Sequence, residues 1–163
     1  MLLNKIRNKN LIKKFTNISP SKNSVGDLLE SELVKAKDEN NYVITHIQFG
    51  NENGTLSYRG RYEIQNNKYN KLGELKYVFF KNGETPYMKL SDIVLDKKYR
   101  NIGLGSLVLN LFETRAKKYG AHYITGDLSS VDEEIPSDEE LRNRFYLKRN
   151  YEIINSDKIY KAL

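Results

Sequence analysis

With 163 residues the chain has one domain's worth of sequence, and its 27 Lys and Arg against 21 Asp and Glu leave a net charge of +6 that favours polyanionic ligands only mildly. It contains no cysteine, which excludes a disulfide framework, a thiolate nucleophile and a cysteine-based metal site, and fits a reducing cytoplasm. His46 and His122 stand alone without carboxylates at ligand spacing, so no metal centre is expected and each histidine is read as packing in or beside a strand.

Met1 to Phe15 mixes Leu2, Leu3, Ile6, Leu11, Ile12 and Phe15 with Lys5, Arg7, Lys9, Lys13 and Lys14. The charges break every apolar run, so neither a secretory leader nor a membrane span is expected, and the first twenty residues read as a basic arm or short helix. Val25 to Lys37 reads as a helix with Leu28, Leu29, Leu33 and Val34 on one side. Four segments rich in β-branched and aromatic residues then read as strands: Tyr42 to Phe49, Thr55 to Gln65, Glu74 to Lys81 and Tyr87 to Leu95. Asn-Gly turns at 53 and 82 and an Asn/Lys/Gly loop at 66 to 73 separate them, and gaps this short imply an antiparallel meander.

Ile93, Val94 and Leu95 read as a buried strand end, after which the period changes. Leu104, Leu107, Val108, Leu111, Phe112, Arg115, Ala116 and Tyr119 recur at three- and four-residue steps in a helix that ends near Gly120. A strand at Tyr123 to Thr125, an acidic loop, a second helix and two closing strands complete the order. In that second helix Leu141 and Phe145 define a buried stripe, with Tyr146 about 100° round from Phe145. Ser137-Asp138-Glu139-Glu140 matches a capping box, which explains half of the acidic segment without a ligand, while Asp132, Glu133 and Glu134 can line an acceptor entrance. Neither repeat nor linker interrupts the chain, so residues 1–163 are expected to form one α+β domain.

The segment Tyr99-Arg100-Asn101-Ile102-Gly103-Leu104-Gly105-Ser106 places a basic residue and two glycines where strand turns into helix. A helix start exposes backbone N–H groups with partial positive charge, and the absence of β-carbons at 103 and 105 lets an anion's oxygens reach them. No Gly-Lys-Ser/Thr follows, which excludes the Walker loop. Val108 stands where the dinucleotide fingerprint requires Gly or Ala.

At these residues the chain resembles the GNAT superfamily of acyl-CoA-dependent N-acyltransferases, whose coenzyme motif is Gln or Arg, two free positions, Gly, one free position, then Gly or Ala. Arg100, Gly103 and Gly105 satisfy it. Phe145-Tyr146-Leu147-Lys148-Arg149-Asn150-Tyr151 is similar to the family's Phe-Tyr-x-Lys-x-Gly-Phe segment, with Asn150 for Gly and Tyr151 for Phe; Asn tolerates the left-handed backbone that Gly supplies there. The resemblance covers roughly residues 90 to 154. It implies a mixed, mostly antiparallel sheet of six to seven strands flanked by helices, with a βαβ unit at the coenzyme site.

The resemblance further implies an acetyl-CoA-dependent N-acetyltransferase in which an amine attacks the thioester directly. Arg100 and the backbone of Asn101, Ile102, Gly103, Leu104, Gly105 and Ser106 would hold the pyrophosphate, and the N–H of Val94 or Leu95 would meet the oxyanion. Tyr146 would protonate the departing thiolate, and a phenol with a pKa near 10 can do so where Phe cannot. Asp92, in an otherwise apolar strand where burial would raise its pKa, and Asp127, just past the 123–125 strand, compete as general base; Glu74 and Glu84 stand further back. Lys148 and Arg149 are candidates for the ribose phosphate, with surface solvation the plainer role.

The amine acceptor is not legible, and a homodimer is compatible with the sequence. Two rivals remain: a non-catalytic acyl-CoA- or partner-binding module on the same fold, and a single-strand nucleic-acid binder suggested by the basic balance and twelve tyrosines. The lysines are dispersed rather than clustered with aromatics, which disfavours the second.

Overall fold

The computed structural model describes residues 26–49, 57–81, 84–128 and 136–163, excepting the side chains of 136–138. Five strands come first: β1 (Asp27–Lys35), β2 (Asn41–Phe49), β3 (Ser57–Gln65), β4 (Lys71–Phe80) and β5 (Tyr87–Leu95). A 3₁₀ turn at Lys97–Tyr99 leads into helix α1 (Leu104–Lys118), and β6 (Tyr123–Asp127), α2 (Pro136–Leu147), β7 (Glu152–Ile154) and β8 (Lys158–Ala162) follow. Among the described residues eight strands lie in one sheet, ordered β1-β2-β3-β4-β5-β6-β8-β7, and only the β5–β6 pair is parallel. The β5-α1-β6 crossover supplies that parallel step, as a helix connection must. The Asn-Gly turns at 53 and 82, the basic arm and the capping-box side chain of Ser137 lie outside the described residues.

The segment expected as the first helix is strand β1, and it brings the strand count to eight. Two features made it look helical. Leu29 is an extra residue bulged out between Leu28 and Glu30, which doubles the leucines into a three-to-four spacing. The inward set beyond the bulge is Glu30, Glu32 and Val34, so two carboxylates occupy positions where alternation would show apolar residues; Glu32 and Val34 are buried.

The core forms where α1 lies on the sheet. Leu104, Val108, Leu109, Phe112 and Ala116 are buried on the helix, against Tyr62, Ile64, Leu75, Tyr77, Met88, Leu90 and Ile124 from the strands. In α2 the buried residue is Tyr146, and Leu141, expected on a buried stripe, is 54% exposed. The helix closes with Tyr151 N–H on the Tyr146 carbonyl (3.2 Å) and Asn150 at φ 62°, the left-handed exit expected of Asn at that place.

A polar cluster is built into the core beside the foot of α1. His46 is fully buried, stacked on Tyr62 with ring centroids 4.2 Å apart, and its Nε2 lies 2.7 Å from the Tyr77 hydroxyl. Its Nδ1 stands 3.6 Å from Glu30, which pairs with Arg115 at 2.6 Å. His46 and Arg115 beside it hold the Glu30 carboxyl down to about 2 against the opposing effect of burial. Burial pushes the His46 imidazole below its ordinary value. The unfolded chain's histidine takes up a proton near pH 6.5, and the buried one resists, so the unfolded state binds more protons below that pH and stability falls with it. The slope from this one group is at most about 1.4 kcal/mol per pH unit. Calorimetric melting between about pH 7 and about pH 5 should show the thermal midpoint dropping in the wild type and a shallower drop in His46→Gln, which cannot titrate. Equal slopes in the two proteins would mean that His46 is protonated as easily in the fold as outside it.

Candidate active site

The parallel ladder between β5 and β6 runs from Tyr87 opposite Tyr123 to Leu90 opposite Gly126 and stops, although β5 continues to Leu95. The cause lies on the other side of β5. Tyr77 of β4 faces Leu90 while Lys76 faces Asp92, so Ser91 is an extra residue, and such a bulge bends the strand that carries it. At the point of divergence a β-carbon on Gly126 would lie 2.8 Å from the Leu90 carbonyl oxygen, so only glycine lets the two backbones approach before they part.

Beyond Leu90 the β6-facing edge of β5 has no strand partner among the described residues. Asp96 N–H bonds to the Leu72 carbonyl at 2.8 Å. Because antiparallel bonding alternates, the N–H of Val94 turns toward β4 and that of Leu95 toward the gap. This strand end is less buried than its apolar sequence suggested, with Val94 50% exposed.

The gap encloses a cavity of about 80 Å³ whose apolar walls include Leu90, Ile93, Leu128 and Ile159. Ser91, Asp92, Asp127, Arg142 and Tyr146 supply its polar groups. Tyr146 is 7% exposed; burial pushes its hydroxyl up to about 12, with the Asp92 charge adding and Arg142 opposing. Asp92 is exposed, on the side of β5 that faces Lys76 in the register, rather than on an apolar face. Asp127 is the last residue of β6 and pairs with Lys89 at 2.7 Å, a contact that holds its carboxyl below the usual range. A larger, open hollow of about 500 Å³ on α2, lined by Glu139, Asn143 and Leu147 among others, shares none of these groups.

The mouth of α1 adjoins this gap in the chain. Asn101 (φ 64°) and Gly103 (φ 90°) both take left-handed backbone, and Gly103 is the N-cap without any side-chain bond to the helix. The first turn holds no acidic residue. Among the described residues the N–H groups of Asn101 to Ser106 meet no acceptor, and they form a cluster of donors at the positive end of the helix dipole. At 105 the missing β-carbon also makes room for the Phe145 ring, which would lie 3.4 Å from it. Arg100 stands beside the mouth with its Nε donating to the Leu95 carbonyl at 2.9 Å.

Of the residues singled out for the ribose phosphate, Arg149 lies over the Phe145 ring and donates to the Phe145 carbonyl at 2.7 Å, while Lys148 borders the outer hollow. Glu74 is held by Lys71 (2.6 Å) and Lys76 (2.9 Å). Two residues were missed by the motif reading. Arg142 precedes Tyr146 by one helical turn, and that spacing on one face could have pointed to it. Lys37 arrives from the β1–β2 turn, its N–H bonded to the Ile102 carbonyl at 2.9 Å, and no local pattern links the two.

No protein-family model matches the chain, and no curated protein matches it. Solved structures do. It is similar to a GNAT-family acetyltransferase of Staphylococcus aureus Mu50 at 18% identity and TM-score 0.52, over 64% of this chain and 68% of that one. It is equally similar to Arabidopsis thaliana Naa50 in complex with the bisubstrate analogue CoA-Ac-MVNAL, at 18% identity and TM-score 0.52, over 63% of this chain and 72% of that one. The NatC complex bound to Gag peptide and CoA matches at 12% identity and TM-score 0.52, over 63% and 70%. Identities this low speak for the backbone alone, and what they establish, together with the eight-stranded sheet and its parted β5 and β6, is that the chain has the GNAT fold.

Proposed function

We propose that the protein is an N-acyltransferase that moves an acetyl group from acetyl-CoA to a primary amine by direct attack. The observation that carries this reading is the set of unbonded N–H groups from Asn101 to Ser106 at the mouth of α1, next along the chain from a strand that has left its neighbour. Such a mouth suits the coenzyme's diphosphate, with Arg100 beside it. Pantetheine would lie along the free edge of β5, as an added strand would, and the thioester would reach the cavity beside Tyr146.

In this reading the neutral amine attacks the thioester carbonyl, and the carbonyl oxygen gathers negative charge toward the backbone N–H of Leu95; that of Val94, the other candidate, faces β4 and does not reach the gap. The proton that nitrogen sheds passes to Asp92 or Asp127, directly or through water. Collapse of the tetrahedral intermediate breaks the C–S bond, and the sulfur takes its proton from Tyr146, which recovers one from solvent. A hydroxyl at about 12 stays protonated throughout the neutral range. It holds its proton more tightly than an ordinary thiol does, so hydrogen bonding to the sulfur comes first and transfer late. Peptide amines belong among the acceptors to try, since Naa50 and NatC of the same fold are seen with peptide or peptide analogue.

Incubation with acetyl-CoA and a panel of amines, followed by release of free thiol, tests the activity. Tyr146→Phe should lower kcat about 100-fold and leave the Kd for acetyl-CoA nearly unchanged; an unaltered kcat removes Tyr146 as the acid. In Gly103→Val the β-branched side chain must adopt a φ of 90°, so the loop should distort and acetyl-CoA binding weaken at least about tenfold by calorimetry. With the most active amine, the rate should keep rising through about pH 10 as more of the amine loses its proton, because burial keeps Tyr146 in its acid form there. A fall above about pH 9 that Tyr146→Phe abolishes would show an unshifted phenol.

A further inference from the structure

The turn between β1 and β2 reaches the glycine loop and touches it twice. First, the Lys37 N–H donates to the Ile102 carbonyl at 2.9 Å. A trans peptide is planar, so holding that carbonyl on one side turns the Gly103 N–H toward the other, and the hairpin fixes the direction of one donor in the mouth. Second, the Lys37 side chain runs over the same residue: its Cε, Cγ and Cδ lie 3.6, 3.7 and 3.9 Å from the position a β-carbon on Gly103 would take. The ammonium is one bond further on, no more than about 5 Å from that position.

Lys35 pairs with Glu39 at 2.6 Å, and Asp38 accepts from Tyr42 and Asn40. Lys37 itself is exposed and forms no ion pair among the described residues. Among the described residues a cation in no ion pair therefore stands at the lip of a mouth whose amides meet no acceptor and whose first turn has no acid. Nearby Arg100 has committed its Nε to the Leu95 carbonyl.

We propose that Lys37 is a phosphate-binding residue of this site, its ammonium taking an oxygen of the coenzyme's diphosphate beside the Gly103 amide. The proposal rests on the reading of the α1 mouth as a coenzyme site. It adds a residue from the N-terminal hairpin, far in sequence from the Arg-x-x-Gly-x-Gly segment. The interaction is solvent-exposed, so its contribution is modest and weakened by salt.

Calorimetric titration of the wild type, Lys37→Met and Lys37→Arg with acetyl-CoA, 3′-dephospho-CoA and S-acetylpantetheine, each at low and high salt, tests it. Met keeps the stem over Gly103 and removes only the charge, and equal thermal midpoints would show that the variants fold alike. The expected result is a loss of about three- to fivefold in Lys37→Met for both nucleotide-bearing ligands at low salt, shrinking at high salt. Lys37→Arg should restore the affinity, and S-acetylpantetheine, which lacks the diphosphate, should bind all three proteins alike. Equal affinity and equal salt dependence of wild type and Lys37→Met for acetyl-CoA would overturn the proposal. So would a loss confined to acetyl-CoA, because the lysine would then meet the ribose phosphate. A wild type that takes up no acetyl-CoA would remove the coenzyme reading itself, an outcome distinct from either of those.

Discussion

A helix that starts without a cap, an acid or an internal acceptor leaves its first N–H groups pointing together at whatever stands before it. In this chain two left-handed residues, Asn101 and Gly103, wind the backbone so that six consecutive residues contribute such donors. Buried, so many unmatched groups would be costly; Leu104 is buried, but the other five residues reach the surface, where water or an anion can satisfy such donors. The strand that feeds it has been bent away from its parallel neighbour by one extra residue, Ser91, and the opening contains a phenol and two carboxylates.

Most of the architecture was readable from composition and spacing. The β-branched and aromatic runs of β2 to β5 and the three-to-four step in α1 survive with ends shifted by a few residues. β1 did not read as a strand because its inward face carries Glu30 and Glu32, and the partner of Glu30 comes from far along the chain: Arg115 lies 85 residues beyond it. A pattern rule that scores carboxylates as outward cannot recover that. The stripe in α2 failed for a related reason. The helix turns its half-buried Arg142 and buried Tyr146 inward and leaves Leu141 and Leu147 exposed, so hydropathy points to the wrong face.

The site divides in the same way. The glycine segment and the Phe-Tyr pair are contiguous motifs, and a contiguous motif can be met by reading along the chain. Lys37 and the pairing of Asp127 with Lys89 depend on segments brought together only by the sheet, and nothing local marks them. The two carboxylates considered as base also differ in a way that composition hides: Asp127 has a lysine at 2.7 Å that favours its charged form, whereas Asp92 lies close enough to Tyr146 to disfavour the phenolate.

The β1–β2 hairpin holds α1 at both ends. Glu30 grips Arg115 and Gln48 accepts from the Tyr119 hydroxyl at the foot, while Lys37 holds the Ile102 carbonyl at the head. These partners lie between 65 and 85 residues apart in sequence. Bringing together segments so distant costs the entropy of closing large loops, so the alignment of the mouth depends on the docked hairpin and not on its own segment alone. An excised peptide carrying only the glycine segment and its helix would have the right residues and none of the splint that aligns them.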